Sequence, residues 1–297
     1  MESPHTTGHD SPVMGHLEEI ENLPSLPVVV AHIQRLVSGS RTSMAEIARA
    51  MSRDQAIAAR VIRLVNSAFY GLRSRVTSIQ HAIVVLGLNT VKNLVTGVSI
   101  VRAFEDGGRA SMFDRERFWL HTFCCALLSR RMAGELRKPR PEDYFLAGLL
   151  HDTGILVLDQ FFHNRFVDTL QYCAANSTDY VDAEQEVLGT THQQVGEYLA
   201  RKWQLPEILV QAARYHHRPP GSDPELAGSL DLLSVVHLAD VCAINNGYYP
   251  GLSDVQRTYD PEALRRSGMM PDRIQTLFEE VEKEVRDLMK QWGIQGT

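Results

Sequence analysis

The chain has 297 residues, 44% of them apolar, with a formal charge of -6 and four cysteines. That apolar content supports a substantial core in one or two domains, and the negative balance argues against broad attachment to a phosphate backbone. Cys124, Cys125, Cys173 and Cys242 form no CxxC pair and follow no secretory signal, so a reduced, cytoplasmic setting is expected. The apolar runs at 82–86 and 154–158 are short and flanked by polar residues, which predicts a soluble protein with no membrane attachment.

Residues 1–18 show little apolar periodicity and are expected to form a flexible tail, leaving His5, His9 and His16 without a rigid frame. From Pro27 onward Val28, Val29, His32, Ile33, Leu36 and Val37 recur at helical steps. Ser43 and Asp54 are placed to cap the next two helices, the second running to Tyr70-Gly71. Residues 78–103 read as two helices broken at Leu86-Gly87-Leu88-Asn89. Such a pair resembles a DNA-binding unit in outline, but the stretch from Thr90 to Val101 is mostly apolar and carries a single lysine. No specific nucleic-acid binding is expected.

The segment 105–111, with Gly107-Gly108, marks an internal boundary. It divides an N-terminal helical part, 19–106, from a second helical part, 111–297. In the second part Phe118, His121, Cys125 and Leu128 share a face, and Pro141 opens a helix that ends near His151-Asp152, where Gly154 lets the chain turn. Thr190 and Gln193 form a candidate capping box around His192. A helix from Pro206 stops at His216-His217, and Asp240 lies among apolar residues of a helix from about Leu226 to Asn246. His237, one turn before Asp240, is read as a supporting or core residue. A last helix is expected over about 271–292. The whole chain is therefore expected to be all-α.

The stretch Leu149-Leu150-His151-Asp152-Thr153-Gly154 resembles the hallmark of the HD hydrolase superfamily, an adjacent His-Asp after an apolar helix. The N-terminal part resembles a narrower relative, the HDOD family of bacterial signal-output domains. That resemblance is carried by residues 23–27 (LPSLP), 54–71 (DQAIAARVIRLVNSAFYG) and 78–88 (SIQHAIVVLGL), and it covers roughly 20–220. It implies an HD-like multi-helix bundle with an N-terminal helical subdomain. It also implies a ligand set for a divalent metal: His121, His151, Asp152 and Asp240, with His192, His216 and His217 in the order of the binuclear HD-GYP branch. Two ions roughly 3.5–4 Å apart, bridged by Asp152 and a water or hydroxide, would follow. One ion would take His121, His151 and Asp240, and the other His192, His216 and His217. Iron is favoured, and the same donors accept manganese, zinc or nickel.

For an active member of the superfamily this arrangement implies hydrolysis of phosphate esters, with cyclic dinucleotides as the HD-GYP substrates and Asp152 as the catalytic bridging residue. The chain departs from that pattern at three places. Ile155 stands where HDxGK has its lysine, residues 218–221 (RPPG) replace the acidic residue and GYP segment, and Arg117 stands where trinuclear relatives use Glu. The expectation is a metal-binding signalling output domain with weak or absent catalysis, acting on a signalling protein or a phosphorylated small molecule or nucleotide. A metal-dependent phosphodiesterase is the alternative.

Overall fold

A computed structural model describes residues 11–20, 23–24, 30–33, 36, 43–105, 113–219, 226, 228–250 and 256–294; these are helical and connecting segments, with no strand among them. The first described helix, α1 (Pro12–Glu19), corrects the expectation of a tail through residue 18. Ser11 caps it by accepting from the Val13 amide, and Val13, Met14 and Leu17 are buried. The Ser11 hydroxyl donates to the Leu188 carbonyl at 2.8 Å, so a distant element completes what so short an apolar pattern does not announce. His16 is exposed on this helix, while His5 and His9 lie outside the described residues. The helix expected from Pro27 is described only in part, with Val30 and Ile33 buried, and the boundary at 106–111 lies outside the described residues.

Four helices follow: α2 (Met44–Met51), α3 (Gln55–Val65), α4 (Ile79–Leu86) and α5 (Leu88–Ala103). Ser43 and Glu46 close a capping box on α2, and the Asp54 carboxylate accepts from the Ala56 and Ile57 amides at the start of α3. Gly87 has φ +85° between α4 and α5, a conformation that lets the chain turn sharply between two helices. Residues 93–101 of α5 are buried, together with Val91. A helix so enclosed presents no row of side chains to a DNA groove.

The second part contains α6 (Arg115–Glu135), α7 (Pro141–Leu150), α8 (Thr153–Phe161), α9 (His163–Asn176), α10 (Tyr180–Leu188), α11 (His192–Lys202), α12 (Glu207–Tyr215), α13 (Leu230–Asn245), α14 (Pro261–Ser267) and α15 (Pro271–Gln291). The centre of the bundle is the long α6, which packs on α7, α13 and α15, while α8 lies against α11 and α12 against α7. One continuous apolar core extends from Val13 to Trp292 and so includes both parts of the chain. Among the described residues no single helix is long and apolar enough to cross a membrane.

Candidate metal centre

Helix ends do most of the positioning. His121 lies in mid-α6, and Asp240 in mid-α13, which packs against it. His151 is the last residue of the α7 coil, and its amide still donates to the Ala147 carbonyl. Adjacent residues of a continuous helix diverge by about 100°. Here α7 breaks at Asp152, whose φ of -101° and ψ of 10° turn the chain, so both side chains point inward. The Asp152 carboxylate makes no capping bond to α8. His192 opens α11, but the capping box is displaced one residue from the expected Thr190 and Gln193: Thr191 and Gln194 form it. His216 ends α12 and His217 follows it.

All seven expected residues converge. The Oδ2 atom of Asp152 lies 3.4 Å from His121 Nε2 and 3.2 Å from His151 Nε2, while its Oδ1 lies 3.4 Å from His192 Nε2 and 3.1 Å from His216 Nε2. Asp240 spans the same gap, with Oδ1 3.3 Å from His121 Nε2 and Oδ2 3.4 Å from His217 Nδ1. Two clusters result, His121, Cys125, His151 and Asp240, and Asp152, His192, His216 and His217, the donor atoms of each lying within 4.8 Å of one another. Cys125, one turn after His121, belongs to the first cluster with its sulfur 3.6 Å from His121 Nε2; its sequence signal was only that of an apolar face.

The protons show what such a centre is suited to hold. His121 Nδ1 faces the Tyr248 carbonyl at 2.7 Å, His151 Nδ1 the Gly148 carbonyl at 2.7 Å, and His216 Nδ1 the Ala213 carbonyl at 3.0 Å. A carbonyl only accepts, so each Nδ1 carries hydrogen and each ring turns its Nε2 inward. His121 and His151 then bring Nε2 atoms within 3.2 Å, and His192 and His216 within 3.3 Å. Facing lone pairs repel unless a proton or a cation lies between them. The buried Asp152 Oδ1 and Asp240 Oδ1 have no hydrogen-bond donor. Donors about 2.0–2.2 Å from a common tetrahedral ion stand roughly 3.3–3.6 Å apart, so the residues present fit a divalent metal.

Burial opposes charge on Asp152, but the imidazoles of His151, His121 and His192 outweigh it and hold the carboxyl well below its usual range. Burial likewise opposes charge on Asp240, and contacts with His121 and His217 together with Arg257 prevail. Burial pushes His216 down to about 4 and, with the charges of His216 and Arg257, drives His217 well below its usual range. His192 moves the other way, to about 10: burial works against its charge, but the Glu184 and Asp152 carboxylates win. A proton there occupies the place that a metal cation would take.

Glu184 is a participant that the sequence did not disclose. Its Oε2 accepts from both the His192 amide at 2.9 Å and His192 Nδ1 at 2.7 Å, locking the ring with Nε2 inward. A carboxylate behind a ligating histidine typically matters 10–100-fold to metal affinity. Glu184→Gln is therefore expected to weaken ion binding at the His192 cluster by roughly that factor, measured by competition with a metal-binding dye. Affinity equal to that of the unaltered protein would contradict this role. His237 is not a member of either cluster: its Nδ1 donates to the His216 carbonyl and its Nε2 accepts from the Asp260 amide, so it steadies the end of α12.

Residues 23–219 match the family model described as HDOD domain. The chain belongs to the HDOD domain family. It is 25% identical over 227 residues to an uncharacterized protein of Treponema pallidum, covering 75% of this chain and 42% of that one, so it spans about two fifths of that relative's length. The fold is similar to a crystal structure of an HDOD domain protein of unknown function from Geobacter sulfurreducens, with a TM-score of 0.74, 24% identity, and 94% of this chain and 95% of that chain covered. It is also similar to the structure of a candidate phosphohydrolase from Shewanella amazonensis, with a TM-score of 0.71, 24% identity, and 95% and 99% covered. At 24% identity these likenesses show a shared fold for this HDOD chain.

Proposed function

We propose that this HDOD protein is a cytoplasmic signal-output domain built around a divalent metal centre, binuclear when full, with weak or absent hydrolytic activity. The observation that carries this reading is the pair of buried carboxylates, Asp152 and Asp240, each offering one oxygen to each histidine cluster. His121, His151 and Asp240 would hold one ion, and His192, His216 and His217 the other, with Asp152 between them. Such ions supply electrophilic charge and an acidified water. Iron is favoured, since the two imidazoles and one carboxylate of His121, His151 and Asp240 suit it.

The chain's own residues argue against efficient phosphoryl chemistry. Ile155 is apolar and 1% exposed on α8, so nothing at that position can neutralise a phosphate. The ligand side chains are almost fully enclosed, and only His217 reaches 13% exposure. We divide the protein into a 19–106 helical part and a 111–297 part that carries the centre, and assign partner recognition to a signalling protein or a phosphorylated small molecule.

Turnover of cyclic dinucleotides, nucleotides and a generic phosphodiester by metal-loaded protein, compared with Asp152→Ala, tests the reading. The expected result is tight metal binding with no turnover, or with weak turnover near the level of the variant. Robust turnover that disappears in Asp152→Ala would overturn the signalling reading in favour of a phosphodiesterase.

A further inference from the structure

Arg257 enters the centre from outside every motif. Its backbone is pinned by Asn245 at the end of α13: the Arg257 amide donates to Asn245 Oδ1 at 2.9 Å and its carbonyl accepts from Asn245 Nδ2 at 2.8 Å. From that anchor the guanidinium reaches inward, 19% exposed, with Nη2 3.3 Å from Asp179 Oδ2 and Nη1 3.4 Å from Asp240 Oδ2. Nη1 also makes a short hydrogen bond to His217 Nδ1. His217 Nδ1 of the second cluster and Asp240 Oδ2 of the first lie 3.4 Å apart, and Nη1 meets both.

Nη1 therefore stands against the two polar atoms, His217 Nδ1 and Asp240 Oδ2, that close the second half of the centre on this side. A guanidinium only donates, and its charge is fixed. An ion bound at His217 Nδ1 takes its place directly, and an ion bound at the ring's other nitrogen sets a second positive charge on the same imidazole and beside the same carboxylate. Either way, Arg257 in its observed position and an ion on His217 oppose each other. The first cluster escapes this conflict, because Arg257 meets only Oδ2 of Asp240 while Oδ1 faces His121.

We infer that Arg257 is an internal cation competing for the second half of the centre, so that the two halves fill in separate steps. The His121, His151 and Asp240 half fills first. The His192, His216 and His217 half fills only as Arg257 withdraws toward its exposed edge beside Asp179. This inference rests on the metal reading proposed above. The ion must break one or two charge-assisted hydrogen bonds, which separates the two affinities by about tenfold to a hundredfold.

Calorimetric titration of metal-free full-length protein with Zn²⁺, and separately with Mn²⁺, tests it on wild type, Arg257→Met and Arg257→Lys, with thermal melts to verify folding. Wild type and Arg257→Lys are expected to bind in two separated steps. In Arg257→Met the second step should tighten by at least about tenfold while the first is unchanged. A folded Arg257→Gln serves in its place if the methionine variant does not fold. Equal second-step affinity with and without the guanidinium, or weaker binding in its absence, overturns the competition and leaves the metal centre standing. No ion uptake by any of the proteins overturns the metal centre itself, and the competition with it.

Discussion

Asp152→Ala protein, purified without a histidine tag or chelator, is expected to retain less than about a tenth of the metal carried by wild type. Asp152 is the side chain whose two oxygens face His121 and His151 on one side and His192 and His216 on the other, so its loss strips a donor from both halves at once. His151→Ala should lose the first ion for the same reason. His163→Ala is the control: it opens α9, apart from the converging imidazoles, and should keep its metal. The loss also reads out as stability. An ion present at about a thousandfold over its dissociation constant contributes on the order of 4 kcal/mol to the folded state. In a protein of this size each kcal/mol corresponds to about 2–4 °C in Tm. A chelator should therefore lower the wild-type Tm by roughly 8–16 °C and leave Asp152→Ala almost unaffected. Equal metal content in Asp152→Ala, His151→Ala and His163→Ala would remove the basis of the assignment.

Gly154→Ala is expected to cost more than about 3 kcal/mol, the upper part of the range for overpacked cores, and to lower Tm by at least about 6 °C. Gly154 does not serve to turn the chain, as the sequence suggested; it lies within the first turn of α8. Its role is close approach. A Cβ there would stand 1.9 Å from the His192 carbonyl oxygen and 2.8 Å from the Gly196 amide nitrogen, both backbone atoms that no rotamer change can move. The methyl group therefore has to push α8 and α11 apart; Asp152 immediately precedes the first of these helices and His192 opens the second. Metal affinity should fall together with stability. A Gly154→Ala protein that melts like wild type and binds metal equally well would show that the two backbones have slack that their contact denies.

Local chemistry explains what could be read from the order of residues alone. Ser43, Asp54 and Pro141 act within one helical turn of themselves, and each opens the helix that its side chain favours. The apolar face around His121 and the succession His151-Asp152, His192, His216-His217 and Asp240 depend only on helical period and residue type, which survive in one dimension. The exact turn at which a helix starts is less secure, because neighbouring threonines and glutamines compete for one cap; Thr191 and Gln194 won over Thr190 and Gln193.

What the amino-acid order determined, then, was an all-helical chain with an inventory of imidazoles and carboxylates suited to a metal. Tertiary structure alone decided how that inventory is aimed. Tyr248, 127 residues from His121, orients that ring through a backbone carbonyl, a group every residue possesses and which therefore leaves no trace in residue type. Glu184 is one of many acidic residues until the turn from α10 into α11 puts its carboxylate behind His192. Arg257 reads as a loop cation until Asn245 pins its backbone and the fold carries its guanidinium to His217 and Asp240. The rings of His151 and His216 are oriented by carbonyls one turn earlier, but half-site sharing and the contact at Gly154 arise between separate segments, where sequence periodicity has no reach.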